Sequence, residues 1–379
     1  WILSGDNDGN YANQLQINGG TVLLDGATAT VGFTTTILGE GGALTLDNST
    51  NALNNRLGGT VSTLGGNRTI SNRGGVFNFL GKDGTNVSEA LNVLTNLEGA
   101  SQWNLTGSTN QTVINVTTLS ASSTTNRGSL YINTANTLGG ALGSGSVNIV
   151  ATTANLVGGS GGAGTKTMSI RPDILALDST TGGQYRLTTH VATTGLRPLT
   201  NAEYQLLPGS ASGIGATLSG LTTSGSGIVA LPGNAGLEVG QSISAAVNGI
   251  AVNTLITNVS SDGTQRITLG ANATSSAVGR FNLIVPATVN ALATASTNLY
   301  QAATLNSLTL NSGGGLTSRG NLMGANNSPN GLMFGMAGTL NTLTLTSGAL
   351  VAQTGNTGII AGALTSGGTI LQVHAIGNL

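Results

Sequence analysis

The sequence predicts an all-β protein, a right-handed parallel β-helix (β-solenoid) with a small inserted all-β subdomain. Three observations predict this fold class: short strand-like segments recur along the chain, glycines precede them at repeated steps, and Thr, Asn, Ser and Gly dominate between the apolar positions. These four residue types are poor in helix interiors, so extended structure is favoured. Each coil of a solenoid buries its apolar row against the next coil, which is why such repeats are stable only as a stack.

The glycine spacing is the main sign of a repeat. Gly-Gly pairs precede apolar segments at positions 19–20, 41–42, 58–59 and 74–75, and single glycines then precede candidate strands at Gly128, Gly145, Gly164 and Gly183. The hexapeptide 305–310 returns almost unchanged at 340–345, a shift that we interpret as two of the shorter units. Glycine suits coil corners because it adopts φ > 0 without a Cβ clash, and Asn side chains can ladder from coil to coil. We therefore predict coils of about twenty residues.

The apolar strand positions are predicted to face one continuous core between parallel strands about 4.8 Å apart. These positions are Val22, Leu24, Leu44, Leu46, Val61, Val147, Ile149, Leu308, Leu310, Leu343 and Leu345. Only one stretch, residues 88–97, has leucines at a spacing that favours a helix.

Changes in spacing divide the chain into three predicted parts. Residues 1–208 form solenoid coils, irregular towards 171–208; residues 209–286 form the inserted β subdomain; and residues 287–379 resume the solenoid. The insert is predicted because coil spacing is lost there while short strands and an Asp-Gly hairpin signal at 262–263 continue. An array of β-sandwiches is the alternative, since other Asn-Gly and Asp-Gly pairs also occur, but they follow no regular strand spacing.

Composition excludes several classes of protein. The 379 residues include 12 basic and 13 acidic side chains, 7% charged, where about 25% is usual. So few scattered cations make no basic face for nucleic acid, and no apolar run approaches the roughly 18 residues of a membrane-spanning helix. Cysteine is absent, which excludes a disulfide scaffold. A weakly charged surface gives little repulsion, so we expect the chain to associate with itself, head to tail or within a longer chain.

Several stretches are similar to one family. Residues 1–5 read W-I-L-S-G, residues 15–22 contain I-N-G-G-T-V, residues 138–145 read L-G-G-A-L-G-S-G, and residues 195–204 read G-L-R-P-L-T-N-A-E-Y. Together with the tail, 343–378, they resemble autotransporter-associated β-strand repeat proteins of planctomycete and verrucomicrobial type. The resemblance covers most of the chain except the insert, and residues 195–204 are its most specific part.

The resemblance implies a secreted or cell-surface β-helix passenger without catalytic residues. It does not extend to the C-terminal outer-membrane barrel of autotransporters, so it leaves the secretion route open. Extracellular or surface localisation is the corresponding expectation.

Candidate chemistry is thinly spread. The densest ionisable patch comprises Arg171, Asp173, Asp178, Arg186 and His190. We interpret it as ion pairs within an irregular loop; the alternative is the carboxylate pair of a polysaccharide-cleaving enzyme. Residues 6–10 and 158–164 have partial calcium-loop patterns and are interpreted as plain turns, and His374 as a strand residue that forms a hydrogen bond.

The sequence therefore predicts a structural cell-surface or extracellular protein, such as an adhesin, sheath or fibre segment, that is not an enzyme and has no catalytic, cofactor or metal site. The alternative is an adhesive module that binds surface glycans or a partner, which requires exposed aromatic side chains. The candidates are Tyr185, Tyr204 and Phe281. A polysaccharide-cleaving β-helix enzyme is the third hypothesis.

Overall fold

A computed structural model of the chain divides into two compact units. The first comprises Trp1–Val157 and Ser169–Leu199, and the second comprises Gly158–Met168 and Thr200–Leu379. The structure describes residues 1–58, 68–107, 109–121, 123, 125–143, 145–178, 184–207, 217–233, 237, 239–243, 245–284, 289–293, 296–299, 303–310, 315–318, 342–352, 359–360 and 363–366.

Strands dominate both units. Up to the end of the first unit the strands are, in chain order, β1 (Ile2–Leu3), β2 (Asp6–Ile17), β3 (Gly20–Leu24), β4 (Thr30–Gly39), β5 (Gly42–Asp47), β6 (Thr69–Arg73), β7 (Val76–Leu80), β8 (Val87–Glu98), β9 (Ala100–Thr106), β10 (Thr112–Leu119), β11 (Ser129–Asn133), β12 (Val147–Thr153), β13 (Val157–Gly158), β14 (Ser169–Asp178), β15 (Gln184–Val191) and β16 (Gly195–Pro198). A short 3-10 helix, Asn201–Glu203, opens the next part of the second unit. It is followed by β17 (Gln205–Leu206), β18 (Thr217–Thr222), β19 (Ile228–Ala230), β20 (Ser242–Ile243), β21 (Ile256–Val259), β22 (Arg266–Leu269), β23 (Val278–Ile284), β24 (Asn290–Ala293), β25 (Ser296–Leu299), β26 (Ala303–Leu310), β27 (Gly315–Ser318), β28 (Thr342–Ala352), β29 (Ile359–Ile360) and β30 (Ala363–Ser366).

In the first unit, successive strands alternate between two parallel sheets. The first sheet has the order β1-β3-β5-β7-β9-β11-β14, and the second has the order β2-β4-β6-β8-β10-β12. Strands β15 and β16 then extend the first sheet beyond β14 by antiparallel pairing. The prediction of an all-β chain with parallel sheets is confirmed.

The strand register corrects the predicted coil length. Thr21 lies beside Ala43, Ala43 lies beside Val76, and Val76 lies beside Gln102, so the coils are unequal and two of them are clearly longer than predicted. The glycine pair at 58–59 does not begin a coil of its own, because β5 pairs directly with β7. The chain around Gly58 instead belongs to a long connection between β5 and β6.

Glycines stand at the corners for two separate physical reasons. A Cβ on Gly42 would lie 2.0 Å from the carbonyl oxygen of Ile17, so the backbone of the preceding coil excludes any side chain there. Gly74 has φ of 86°, a conformation that residues with a Cβ rarely adopt. The positive φ predicted for corner glycines is therefore observed at Gly74, whereas Gly42 is required by the close approach of the preceding coil.

The alternation of buried and half-buried residues in the strands builds one apolar core in the first unit. Val22, Leu24, Leu44, Leu46, Val147 and Ile149 belong to this core, as predicted. Phe77 and Trp103 meet within it, with ring centroids 4.7 Å apart. Of the remaining predicted core positions, Leu308 and Leu310 are buried in the second unit; Val61 lies outside the described residues, as do the side chains of Leu343 and Leu345.

The stretch that favours a helix, residues 88–97, forms most of strand β8 instead. Its neighbours β6 and β10 both pair with it in parallel register. Ladder hydrogen bonds on both sides, with Leu91 and Leu94 buried in the core, override the weak helical spacing of its leucines.

The second unit contains an antiparallel sheet with the order β20-β23-β18-β19-β22-β21. Its strands lie within 209–286, the range predicted for the insert, whose two boundaries fall outside the described residues. One face packs on a separate core that includes Val229, Ile243, Ile256, Ile267 and Phe281.

Parallel pairing returns after the antiparallel sheet, in the orders β17-β24-β26-β28-β30 and β25-β27-β29. Strand β26 pairs directly with β28, with Leu305 beside Leu345 and Leu308 beside Leu350. The 305–310 and 340–345 hexapeptides are therefore not separated by two coils, because the strands that contain them are direct neighbours. Among the described residues, no helix combines the length and apolar character needed to cross a membrane.

Candidate binding cleft

A polar cleft of about 620 Å³ lies at the corner where the first unit's coils pass from the second sheet to the first. Its floor is glycine backbone: a Cβ on Gly99 would lie 3.1 Å from the Cα of Gly74, and Gly39 lines the same floor. Because these residues lack side chains, the backbones of neighbouring coils pack closely together at this corner.

Charged side chains from successive coils form the rim of the cleft. Gly39 pairs with Arg73, and Arg73 pairs with Glu98, so the three residues stand in one column across β4, β6 and β8. Arg73 Nη1 lies 3.4 Å from Glu98 Oε1, with the two side chains 43% and 65% exposed. This exposed ion pair contributes little to stability, and it places a guanidinium and a carboxylate side by side on the rim.

The remaining rim supplies a second carboxylate and two amides. Glu40 lies against Gly74, since a Cβ on that glycine would come within 3.6 Å of the Glu40 Cβ. On the other side, Gln16 Nε2 donates to Asn18 Oδ1 at 3.1 Å. The rim of the cleft therefore offers one guanidinium group, two carboxylates and two amides for hydrogen bonding.

Sequence reasoning missed this cleft. Glu40, Arg73 and Glu98 lie far apart along the chain, and only the true coil register brings them together. One sequence feature could have revealed the cleft: Glu40, Arg73 and Glu98 are each followed directly by a glycine, which would place all three at equivalent corners.

The predicted ionisable patch is largely a buried structural network. Arg171 and Asp173 form a bidentate pair at 2.9 and 2.7 Å, with both side chains 2% exposed. The Arg171 guanidinium also donates to the carbonyl oxygens of Leu119, Ser120 and Ala154. Arg186 is buried as well, and the side chain of Asp178 lies outside the described residues. The Arg171–Asp173 ion pair agrees with the structural interpretation of the patch, but the irregular loop predicted there was wrong, because these residues lie in strands β14 and β15.

His190 caps a strand edge. Its Nε2 accepts a hydrogen bond from the Ala151 backbone N–H at 2.9 Å, and burial lowers the pKa of the imidazole. On the same strand, β12, Asn148 Nδ2 donates to the Thr194 carbonyl oxygen at 2.8 Å. His190 therefore takes part in covering the edge of β12.

A chain of buried side-chain hydrogen bonds crosses the core to the Arg171–Asp173 pair. Trp103 Nε1 donates to Asn72 Oδ1 at 3.2 Å, Asn72 Nδ2 to Asn96 Oδ1 at 2.8 Å, and Asn96 Nδ2 to Asp173 Oδ2 at 2.9 Å. Each buried polar group in the chain is thus paired, which is the condition for such a network to stabilise a core.

A buried arginine holds the long connection between β5 and β6. Arg56 is fully buried and donates to five oxygen atoms: Asn48 Oδ1 and the carbonyl oxygens of Gly26, Ala29, Asp47 and Asn51. Nearby, Glu89 Oε1 accepts from the Leu57 N–H at 3.2 Å. Burial raises the pKa of Glu89 to about 8, only partly offset by hydrogen bonds and the charge of Arg56.

The two calcium-like segments differ from each other. Residues 6–10 lie in strand β2, so the turn predicted there was wrong; pairing of Asp6 and Asn7 with β4 keeps the backbone extended. In the other segment, the Gly164 N–H donates to Glu203 Oε1, whose Oε2 accepts from the Thr200 N–H, both at 2.8 Å. His374 lies outside the described residues. Within the described part of the chain, no group of three or more His, Asp or Glu side chains could hold a metal ion.

The aromatic candidates for an adhesive platform are mostly inside the protein. Tyr204 and Phe281 are buried, while Tyr185 is half-buried against Tyr131 in an edge-to-face contact. The Tyr185 hydroxyl donates to Asn133 Oδ1, at one end of a row of polar side chains on the outer face of the first sheet.

That row is an asparagine ladder from coil to coil, and it lies in the strands rather than at the corners where such ladders are predicted. Asn133 Nδ2 donates to Asn104 Oδ1 at 3.1 Å, Asn104 Nδ2 to Asn78 Oδ1 at 2.8 Å, and Asn78 Nδ2 to Thr45 Oγ1 at 2.9 Å. The four side chains come from adjacent strands in register.

Comparison with known proteins adds no relative: no protein-family model, no curated protein and no solved structure matches the chain.

Proposed function

We propose that the chain is a stretch of right-handed parallel β-helix from a bacterial cell-surface or extracellular structural protein, of the autotransporter-associated repeat type. The observation that carries this proposal is the alternation of parallel strands between two sheets around one apolar core. Right-handedness is supported by the general rule that parallel crossover connections are right-handed in about 98% of cases.

The use of polar groups supports a structural role over a catalytic one. Arg171 and Asp173 pair with each other inside the protein, and Arg56 donates to the backbone carbonyl of Asn51 in the long connection. Hydrogen bonds of this kind hold a connection against the strands of neighbouring coils. A stack of coils needs them wherever the connection between two strands is long.

The low charge of the chain supports assembly. With 12 basic and 13 acidic side chains among 379 residues, copies of the chain repel one another little. Repeated head-to-tail addition of copies would give an open filament.

Labelling of intact source cells tests the location. Antibodies against the chain are expected to bind before permeabilisation; labelling only after permeabilisation would overturn the surface assignment. Sedimentation of the full chain tests assembly: it should associate as concentration rises, with little dependence on salt because so few charges are present. A strictly monomeric chain at high concentration would contradict self-assembly.

A further inference from the structure

The cleft bounded by Glu40, Arg73 and Glu98 carries an inference that does not rest on the structural role. We propose that it binds a neutral polyhydroxylated ligand, a saccharide of one or two sugar units. Its volume of about 620 Å³ lies within the roughly 300–1,000 Å³ of small-molecule sites.

The charged side chains on the rim indicate which chemical class of ligand the cleft binds. An anionic ligand would meet the carboxylates of Glu40 and Glu98, and a cationic ligand would meet the guanidinium of Arg73. A hydroxyl group both donates and accepts, so neighbouring hydroxyls of a sugar can donate to a carboxylate and accept from the guanidinium at the same time. The amide groups of Gln16 and Asn18 extend the same alternation along the cleft.

The site is already organised in the free protein. The preformed part is the backbone, because the Arg73–Glu98 and Gln16–Asn18 contacts are exposed to solvent. The glycine floor belongs to the stacked coils and has φ of 86° at Gly74 and 68° at Gly99. A backbone that is ordered before binding reduces the entropy lost on association.

The affinity should be modest, because hydrogen bonds rather than aromatic stacking would hold the ligand. A Kd on the order of 1 mM is expected. The test is titration of the full chain with cellobiose, maltose and N,N′-diacetylchitobiose, followed by saturation-transfer NMR. The matched control ligands are glucuronate and glucosamine, which carry a negative and a positive charge.

Two charge-removing variants locate the site. Glu40→Gln and Arg73→Gln keep a side chain of similar size, and each should weaken binding about tenfold or more, as expected for a hydrogen bond to a charged group. Asp262→Asn, an exposed change in the second unit, should leave binding unaltered. If Glu40→Gln or Arg73→Gln melts at a lower temperature than the wild type, Glu98→Gln is titrated in its place.

Each outcome decides the proposal. Saturable binding of a neutral disaccharide that both cleft variants weaken supports it. Absence of saturable binding for all three disaccharides overturns it. Binding that the cleft variants leave unchanged overturns the location, and tighter binding of glucuronate or glucosamine overturns the ligand class.

Discussion

The parallel sheets of the first unit and the antiparallel sheet of residues 217–284 satisfy their polar groups in different ways. The parallel region buries the charged residues Arg56, Glu89, Arg171 and Asp173, whereas the described buried polar residues of the antiparallel sheet and its loops are uncharged. Parallel strands need long connections, such as the one between β5 and β6, and its carbonyl groups bond to Arg56. Hairpins need no such partner: Asp262, for example, accepts from Thr264 two residues away.

The same two regions differ in the placement of apolar side chains. In the antiparallel sheet, Leu221 lies beside Val278, and both are more than half exposed. One face of that sheet packs on its core and the other faces solvent, the ordinary arrangement of an antiparallel sheet. The stability of the parallel region therefore depends on hydrogen bonds from buried ionisable side chains, whereas that of the antiparallel region depends on local turns.

The largest expected effect comes from breaking the Arg171–Asp173 pair. Arg171→Met leaves Asp173 buried without its partner and releases the carbonyl groups of three residues, so the first unit should lose about 3–5 kcal/mol of unfolding free energy. Tryptophan fluorescence measures this directly, because Trp1 and Trp103 both lie in the first unit.

The matched control is Arg266→Met, at an exposed position of strand β22 in the antiparallel sheet. It should leave the fluorescence transition unchanged. Equal effects of the two substitutions would contradict the view that the parallel region depends on buried charged pairs.

The next largest effect concerns Glu89, whose pKa is raised by burial to about 8 in the folded protein. The unfolded chain ionises at the ordinary glutamate pKa near 4.5, so the unfolded state loses its proton first as pH rises. Stability is therefore expected to fall between about pH 4.5 and pH 8 and to level off above that range. Glu89→Gln removes this loss and should stabilise the first unit at pH 8 by about 2 kcal/mol or more.

Denaturant unfolding at several pH values checks the Glu89 prediction. The glutamine variant should differ little from the wild type near pH 5, and its advantage should grow towards pH 8. A pH dependence that stays the same in both proteins would show that Glu89 is not the group responsible.

Sequence reasoning found the elements of the fold better than their registers. Corner glycines such as Gly42 were recognisable because their conformational demands are local, and alternation identified core residues such as Leu44. The length of each coil was not recognisable, because long connections are held by distant partners: Arg56 bonds to the carbonyl oxygen of Gly26, on the preceding coil. The cleft depends on that register, so Glu40, Arg73 and Glu98 were not associated with one another.

The outer asparagine ladder should have a smaller effect. Asn104→Ala removes hydrogen bonds to Asn78, Asn133 and Gln102 at a half-buried position, and should destabilise the first unit by about 1 kcal/mol. The control is Asn258→Ala, at an exposed position of the antiparallel strand β21, which should be neutral. Hydrogen exchange measured in both regions would decide, and equal protection loss would contradict a special role for laddered asparagines.

The smallest effect is expected at the β21–β22 hairpin. Hydrogen bonds from the hydroxyl and backbone N–H of Thr264 lower the pKa of Asp262, a fully exposed group. A lowered folded pKa means that any stabilisation is present at neutral pH and is lost as the pH falls through that pKa. Because solvent screens the group, Asp262→Ala should speed amide exchange at Thr264 near neutral pH and leave the buried Ile267 amide protected as in the wild type. Faster exchange at Ile267 would show that this turn stabilises the whole sheet, which would contradict the view that turns in the antiparallel region act only locally.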